Sequence, residues 1–198
     1  LCLPVLKTDE QVFLIVIDNL RFDQWKVLQP IFEQYYRIIR EDICFSILPT
    51  ATQYARNAFF AGLMPSEIQK KDPQYWVGEG EENLRNQYEE QLLEEQLKRL
   101  GSGIRFHYHK ILNLQSGKKL AENLSNYLSY KLNVLVYNFV DMLSHARTEM
   151  EVIKELADDE AAYRSLTLSW FEHSPLWDII RLLAEKKISI LLTTDHGS

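Results

Sequence analysis

Short apolar runs rich in β-branched residues recur along the chain and predict buried β-strands. Parallel strands covered on both faces have this texture, because neither face meets water. A further segment alternates between apolar and polar positions, which favours an edge strand or one wetter face. The buried strands are predicted at Val12–Ile17, Ile43–Leu48, Val134–Val140 and Ile188–Thr193, and the edge strand at Ile104–Ile111.

Amphipathic segments between these runs predict helices. In the first of them we expect a break, with Pro30 near a new start. The segment Glu82–Leu100 is closed by Gly101, a residue typical of helix C-termini, and its Glu residues are predicted to form a solvated face. The predicted helices are Phe22–Arg40, Glu82–Leu100, Gly117–Leu128, Thr148–Phe171 and Pro175–Lys186.

Strands alternating with helices predict an α/β fold: a mostly parallel sheet with helices on both faces and right-handed crossovers. The 198 residues are 46% hydrophobic, enough for one sizeable core, so residues 1–198 are predicted to form a single domain. Residues 64–80 carry two prolines and two glycines and predict a loop or small insertion that could act as a lid. Since the chain starts at Leu1 and stops soon after an apolar run, we expect a C-terminally incomplete piece of a longer chain.

Charge and composition restrict the partners. The formal net charge is −6, so a general electrostatic attraction to nucleic acid is not expected, although a local basic pocket would be compatible with it. The apolar runs are too short for a membrane span, and no leader pattern is recognisable. Cys2 and Cys44 match no metal or redox spacing, which favours a reducing, cytoplasmic setting.

Ligand-type side chains follow the predicted strands. Ligands of open parallel sheets bind beyond the carboxyl ends of the strands. Three strand ends deliver a carboxylate, two of these add an imidazole, and the fourth is followed by the hydroxyl of Thr52. The carboxylates and imidazoles are those of Asp18, Asp141, His145, Asp195 and His196. Such oxygens and nitrogens bind Zn²⁺ or Mn²⁺, and the set fits a two-metal site about 4 Å across.

Each of these residues also has an ordinary structural interpretation. Thr52 stands at a predicted helix start, where unpaired N–H groups and the helix dipole favour an anion, but a Thr there commonly only caps its helix. A single Asp after a strand is often a turn residue. Asp141 and His145, four positions apart, would form a weak local pair on a solvent-exposed helix face. Their common placement at one sheet edge is what favours a joint site.

Four stretches of the sequence together resemble a known family. They are IDNLRFDQW at the first strand, LPTATQYARNAFFAGLMP at the second, DMLSHAR, and the terminal TTDHG. In order and spacing they resemble the PglZ domain of the alkaline phosphatase superfamily, most closely the version in PorX-type response regulators. The resemblance implies an alkaline-phosphatase-like fold and a metal-dependent phosphodiesterase that acts on nucleotides or short oligonucleotides.

The resemblance also implies residue roles. Thr52 would be the nucleophile and would bind one Zn²⁺, or Mn²⁺, together with Asp18, Asp195 and His196. The position of Arg56, four residues after Thr52 on the predicted helix, would let it face the phosphate oxygens; its alternative is a salt bridge.

A second metal site is also implied by the resemblance. Asp141 and His145 would hold the second Zn²⁺. One more His normally completes that site from a motif well after the DHG, and the sequence ends at Ser198 without a counterpart.

The resemblance further implies a receiver domain in the same longer chain and a role in two-component signalling linked to secretion. We also expect a homodimer or a signalling partner protein. A phosphatase-like module that is catalytically weak and serves regulatory interaction or dimerisation is the alternative, and the incomplete second site keeps it open. A sulfatase is disfavoured, because those relatives need a modifiable Cys or Ser at the position of Thr52.

Overall fold

A four-stranded parallel sheet organises the chain in the computed structural model, which describes residues 5–6, 11–43, 45–76 and 86–197. The strand order is β2-β3-β1-β4, with β1 and β3 in the middle. This confirms the α/β prediction and the edge position of the alternating strand. The strands are β1 Val12–Ile17, β2 Phe106–Ile111, β3 Leu132–Tyr137 and β4 Ser189–Thr193.

Helices cover both faces of this sheet. They are α1 Phe22–Phe32, α2 Thr52–Ala61, α3 Pro65–Lys71, α4 Glu89–Arg99, α5 Leu114–Glu122, α6 Phe139–Glu149, α7 Glu151–Leu156, α8 Glu160–Glu172 and α9 Pro175–Glu185. Short 3₁₀ turns lie at Pro73–Tyr75 and Leu124–Tyr127. Within the described ranges, none of the helices combines the length and apolar character needed to cross a membrane.

Strand β1 separates two hydrophobic cores. Alternate residues of a strand point to opposite faces, so Phe13, Ile15 and Ile17 join one core and Val12, Leu14 and Val16 join the other. The first core contains side chains of α1, α5, α8 and α9, and the second contains side chains of α2 and α4. All six residues of β1 are buried, which explains their uniformly apolar character.

The parallel register places the carboxyl ends of three strands side by side. Ile17, the last residue of β1, pairs with Tyr137 of β3, and Val16 pairs with Thr193 of β4. The residues that follow these strands therefore meet at one edge of the sheet, as predicted.

The strand predicted at Ile43–Leu48 is wrong for the residues that the structure describes there. Residues 43 and 45–48 have no regular structure, and the side chains of Phe45 and Leu48 are exposed. A strand needs a neighbour for its backbone hydrogen bonds, and apolar composition does not reveal whether one is available. Among the described strands, β4 pairs with β1 alone. Thr52 is thus reached through irregular chain rather than directly from the sheet.

Several predicted helix boundaries are also corrected. Helix α1 continues through Pro30 and ends at Phe32, because a proline removes one N–H near the helix end without preventing the next residues from remaining helical. The predicted helix at Thr148–Phe171 is divided among α6, α7 and α8, since Met150 is extended and Asp159 caps a new start by accepting from the Ala162 N–H.

The remaining corrections are smaller. Helix α4 begins at Glu89, and residues 82–85 of its predicted range lie outside the described residues. Helix α5 begins three residues before Gly117, where Asn113 caps it. The predicted loop at 64–80 contains α3, and its residues 77–80 are not described. Strand β3 ends before Val140, which belongs to α6. Gly101 has a φ of +63° after α4, which confirms the predicted end of that helix.

Candidate metal centre

Asp18, Asp195 and His196 come together beyond the carboxyl ends of β1 and β4. One ligand atom from each lies within 4.8 Å of the others, and all three side chains are buried. His196 Nε2 is 3.5 Å from Asp18 Oδ1 and 3.9 Å from Asp195 Oδ2. The two strand ends therefore supply two carboxylates and an imidazole to one point, as the sequence predicted.

Thr52 contributes a hydroxyl to the same point. It is the first residue of α2, and its Oγ1 lies 3.0 Å from His196 Nε2 and 3.4 Å from Asp18 Oδ1. The N-cap position belongs to Ala51, whose side chain makes no capping bond, so the interpretation of Thr52 as a helix cap is wrong. The hydroxyl instead faces the acidic cluster at the N-terminal end of a helix dipole.

Backbone contacts hold the two strand ends together. Asn19 has a φ of 60°, and its N–H donates to Asp195 Oδ1 at 3.3 Å. The Leu20 N–H donates to Thr194 Oγ1 at 3.1 Å. Gly197 passes so close that an added Cβ would lie 3.0 Å from the Leu20 carbonyl oxygen. The glycine of the TTDHG stretch thus allows the loop after β4 to pack on the loop after β1.

Arg56 is fully buried beside the cluster and binds its carboxylates. Its Nε donates to Asp195 Oδ2 at 3.1 Å, its Nη2 pairs with Asp18 Oδ2, and its Nη1 donates to Asn138 Oδ1 at 3.0 Å. The sequence left two interpretations of Arg56 open, and the observed contacts correspond to the salt bridge. Because Arg56 pairs with Oδ2 of Asp18, the other oxygen of that carboxylate, Oδ1, faces Thr52.

The donor set fits a divalent transition metal. Two carboxylates, an imidazole and a hydroxyl are ligands of Zn²⁺ and Mn²⁺. The imidazole of His196 turns Nε2 towards the hydroxyl and the carboxylates, while its Nδ1 is buried without a hydrogen-bond partner among the described residues. The arrangement can therefore hold one metal through Asp18, Thr52, Asp195 and His196.

Burial changes the acid–base behaviour of Asp18. It raises the pKa of this carboxyl from 3.8 to about 8; Arg56 opposes the change, while the charges of Asp195 and Asp141 add to it. A group whose pKa is higher in the folded protein gives stability that is fully present below the unfolded pKa and is lost as pH rises through the folded pKa.

We expect this linkage to appear when the metal-free protein is compared with Asp18→Asn. The stability of the wild type relative to the variant should fall as pH rises from about 4 to about 8, because Asp18 must then lose its proton inside the fold. Urea unfolding at several pH values measures the difference. A stability difference that does not change with pH would contradict the raised pKa.

Asp141 and His145 stand apart from this cluster. His145 Nε2 is 3.6 Å from Asp141 Oδ2 on α6, and the His145 side chain is 67% exposed. The group of three ligands found among the described residues includes neither of them. The negative charge of Asp141 nevertheless contributes to the raised pKa of Asp18.

Two site residues were missed by sequence reasoning. The sequence predicts Glu89 on a solvated helix face, but the residue is 1% exposed, and its Oε1 lies 3.4 Å from Arg56 Nε. The available signal was its spacing: Glu89 lies three and four positions before Leu92 and Leu93, on the buried side of α4. Asn138, which binds Arg56, could have been found because it follows β3 directly.

The parallel α/β sheet and the buried carboxylate–imidazole cluster at its carboxyl edge agree with an alkaline-phosphatase-like domain. The family model described as the BREX system PglZ alkaline phosphatase-like domain matches residues 1–198, and the chain belongs to this PglZ family. A comparison with curated proteins gave no match.

Proposed function

We propose that this domain is a metal-dependent phosphoesterase that uses Thr52 as its nucleophile. The observation that carries the proposal is the position of the Thr52 hydroxyl, 3.0 Å from His196 Nε2 and 3.4 Å from Asp18 Oδ1. A metal held by Asp18, Asp195, His196 and Thr52 would supply Lewis-acid chemistry, lowering the pKa of a hydroxyl and neutralising phosphate charge.

The chain's own residues then account for the covalent step. Thr52 Oγ1 attacks phosphorus in line: the Thr–phosphate bond forms, the bond to the leaving oxygen breaks, and the proton lost by the hydroxyl ends on that oxygen, which departs as an alcohol. Asp18 Oδ1 accepts the hydrogen bond of the Thr52 hydroxyl and so orients it. The N-terminal end of α2, where Thr52 lies, would stabilise the negative charge of the phosphoryl group, since helix N-termini bind anions. Water then hydrolyses the threonyl phosphodiester intermediate, which regenerates the Thr52 hydroxyl and releases the remaining phosphate monoester.

Arg56 acts indirectly on the reacting groups in this proposal. It is buried and paired with Asp18 and Asp195, so its effect on the phosphate runs through the carboxylates that it orients. Such outer-shell partners fix the direction of metal ligands.

The finer assignments rest on the resemblance. A phosphodiester is the proposed substrate, with nucleotides or short oligonucleotides as the favoured class. Asp141 and His145 are proposed to hold a second Zn²⁺ with one further ligand, supported by the action of the Asp141 charge on Asp18. A PorX-type response regulator, with a receiver domain and a cytoplasmic signalling role, is the proposed context.

A regulatory binding module is the second candidate, and one observation favours it. Arg56 pairs with both Asp18 and Asp195, so a buried cation already compensates these carboxylates. A domain of this kind would keep its fold and its acidic cluster without performing any reaction.

Metal removal separates the two candidates. Dialysis against a chelator should abolish hydrolysis of a chromogenic phosphodiester, and Zn²⁺ or Mn²⁺ should restore it, because the metal supplies the Lewis acid. The corresponding phosphomonoester serves as a matched substrate and should react more slowly. Absence of hydrolysis in every metal state, despite bound metal, would favour the binding module.

A further inference from the structure

Glu89 is a buried carboxylate that none of the roles above uses. It is the first residue of α4 and is 1% exposed. Its Oε1 lies 3.4 Å from Arg56 Nε, and its Oε2 accepts a hydrogen bond from the hydroxyl of Tyr108 and lies 3.1 Å from Lys110 Nζ. A charged group of this size rarely remains buried without opposite charge beside it.

Glu89 shares the single positive charge of Arg56 with two other carboxylates. Burial by itself would lower the pKa of Arg56, but Glu89, Asp18 and Asp195 together raise it, and Glu89 has the largest effect of the three. The same Arg56 Nε faces two of these carboxylates, 3.4 Å from Glu89 Oε1 on α4 and 3.1 Å from Asp195 Oδ2 after β4.

We propose that Glu89 is a positioning residue for the metal centre: it draws the charge of Arg56 towards α4, so that Asp18 and Asp195 remain available to a cation. This inference rests on the proposed function and deepens it. Without Glu89, Arg56 would neutralise the two carboxylates more completely, and the surroundings of the cation would be less negative by one charge. Both effects weaken metal binding.

Lys110 opposes the effect of Glu89, because its positive charge lies beside the Glu89 carboxylate. Its Nζ lies 3.2 Å from Oε1 and 3.1 Å from Oε2 of Glu89, and it also donates to the carbonyl oxygen of Asn86 at 3.0 Å. This ammonium at the end of β2 offsets part of the Glu89 charge. Removing Lys110 should therefore strengthen metal binding, whereas removing the charge of Glu89 should weaken it.

The test is the dissociation constant for Zn²⁺, measured by competition with a chromophoric chelator at fixed pH. We expect Glu89→Gln to bind Zn²⁺ about 10–100-fold more weakly than the wild type, the range for lost outer-shell partners. Lys110→Met should bind more tightly. Glu90→Gln removes the neighbouring exposed carboxylate and should leave the constant unchanged. Glu89→Asp, which keeps the charge, should recover most of the lost affinity.

Opposite directions for Glu89→Gln and Lys110→Met exclude a merely structural effect, since damage to the fold would weaken binding in both. If Glu89→Gln does not fold, as judged by circular dichroism, Lys110→Met decides: tighter binding supports the inference, and equal or weaker binding overturns it. Equal affinity of the wild type and a folded Glu89→Gln overturns the inference and leaves the proposed function standing. A wild type that binds no Zn²⁺ overturns both.

Discussion

Thr52→Ala should lower the rate of phosphodiester hydrolysis by at least about a thousandfold, the order of loss seen when a covalent nucleophile is removed. The alanine keeps the helix start but provides no oxygen beside His196 and Asp18. Hydrolysis of a chromogenic phosphodiester by metal-loaded protein measures the effect. Bound metal should be quantified in the same samples, because Thr52 is also a proposed ligand.

Two matched variants make this experiment specific. Thr50→Ala removes an exposed hydroxyl two residues earlier and should leave the rate unchanged. Thr52→Ser keeps a hydroxyl and should retain measurable activity. If Thr52→Ala hydrolyses the substrate as fast as the wild type, the assignment of the nucleophile is wrong.

Arg56→Met should destabilise the metal-free protein by about 3–5 kcal/mol, the typical loss when one partner of a buried ion pair is removed. Arg56 is fully buried and pairs with Asp18, Asp195 and Glu89, so the variant would leave three buried carboxylates with less compensation. Urea unfolding gives the change in the free energy of unfolding.

The matched control for this variant is Arg37→Met, at an exposed arginine just after α1, which should change stability little. Saturating Zn²⁺ should reduce the loss caused by Arg56→Met, because a bound cation compensates the same carboxylates. A loss below about 1 kcal/mol, the range of exposed ion pairs, would contradict the structural role of Arg56.

The pattern of apolar residues within each segment was enough to place most of the strands and the ligand-type side chains that follow them. The apolar runs at β1 and β3 report burial on both faces, which is a property of the segment itself. The run at β4 also marks a strand, but this strand lies at the edge of the described sheet and is only half-buried, so the predicted full burial is wrong there. Once the strands are parallel, the residues after them must share one edge, so Asp18 and Asp195 could be brought together without coordinates.

Contacts between distant segments could not be predicted in the same way. Ile43–Leu48 has the composition of a strand, but pairing depends on whether a neighbouring strand presents a free edge. The spacing of Asp141 and His145 is right for one helical turn, yet the direction of α6 leaves His145 exposed.

The sequence by itself determined that this is an α/β domain of the PglZ family whose strand ends carry Asp18, Asp195 and His196. Hydrophobic periodicity and the order of the motifs are properties of the chain itself, so no coordinates are needed to recognise them. The tertiary structure alone decided that Thr52 faces these ligands rather than capping its helix, and that Arg56 and Glu89 lie buried beside them. Arg56 and Asp195 are separated by 139 positions, and the ion pair between them exists because folding removes both charges from water at the same place.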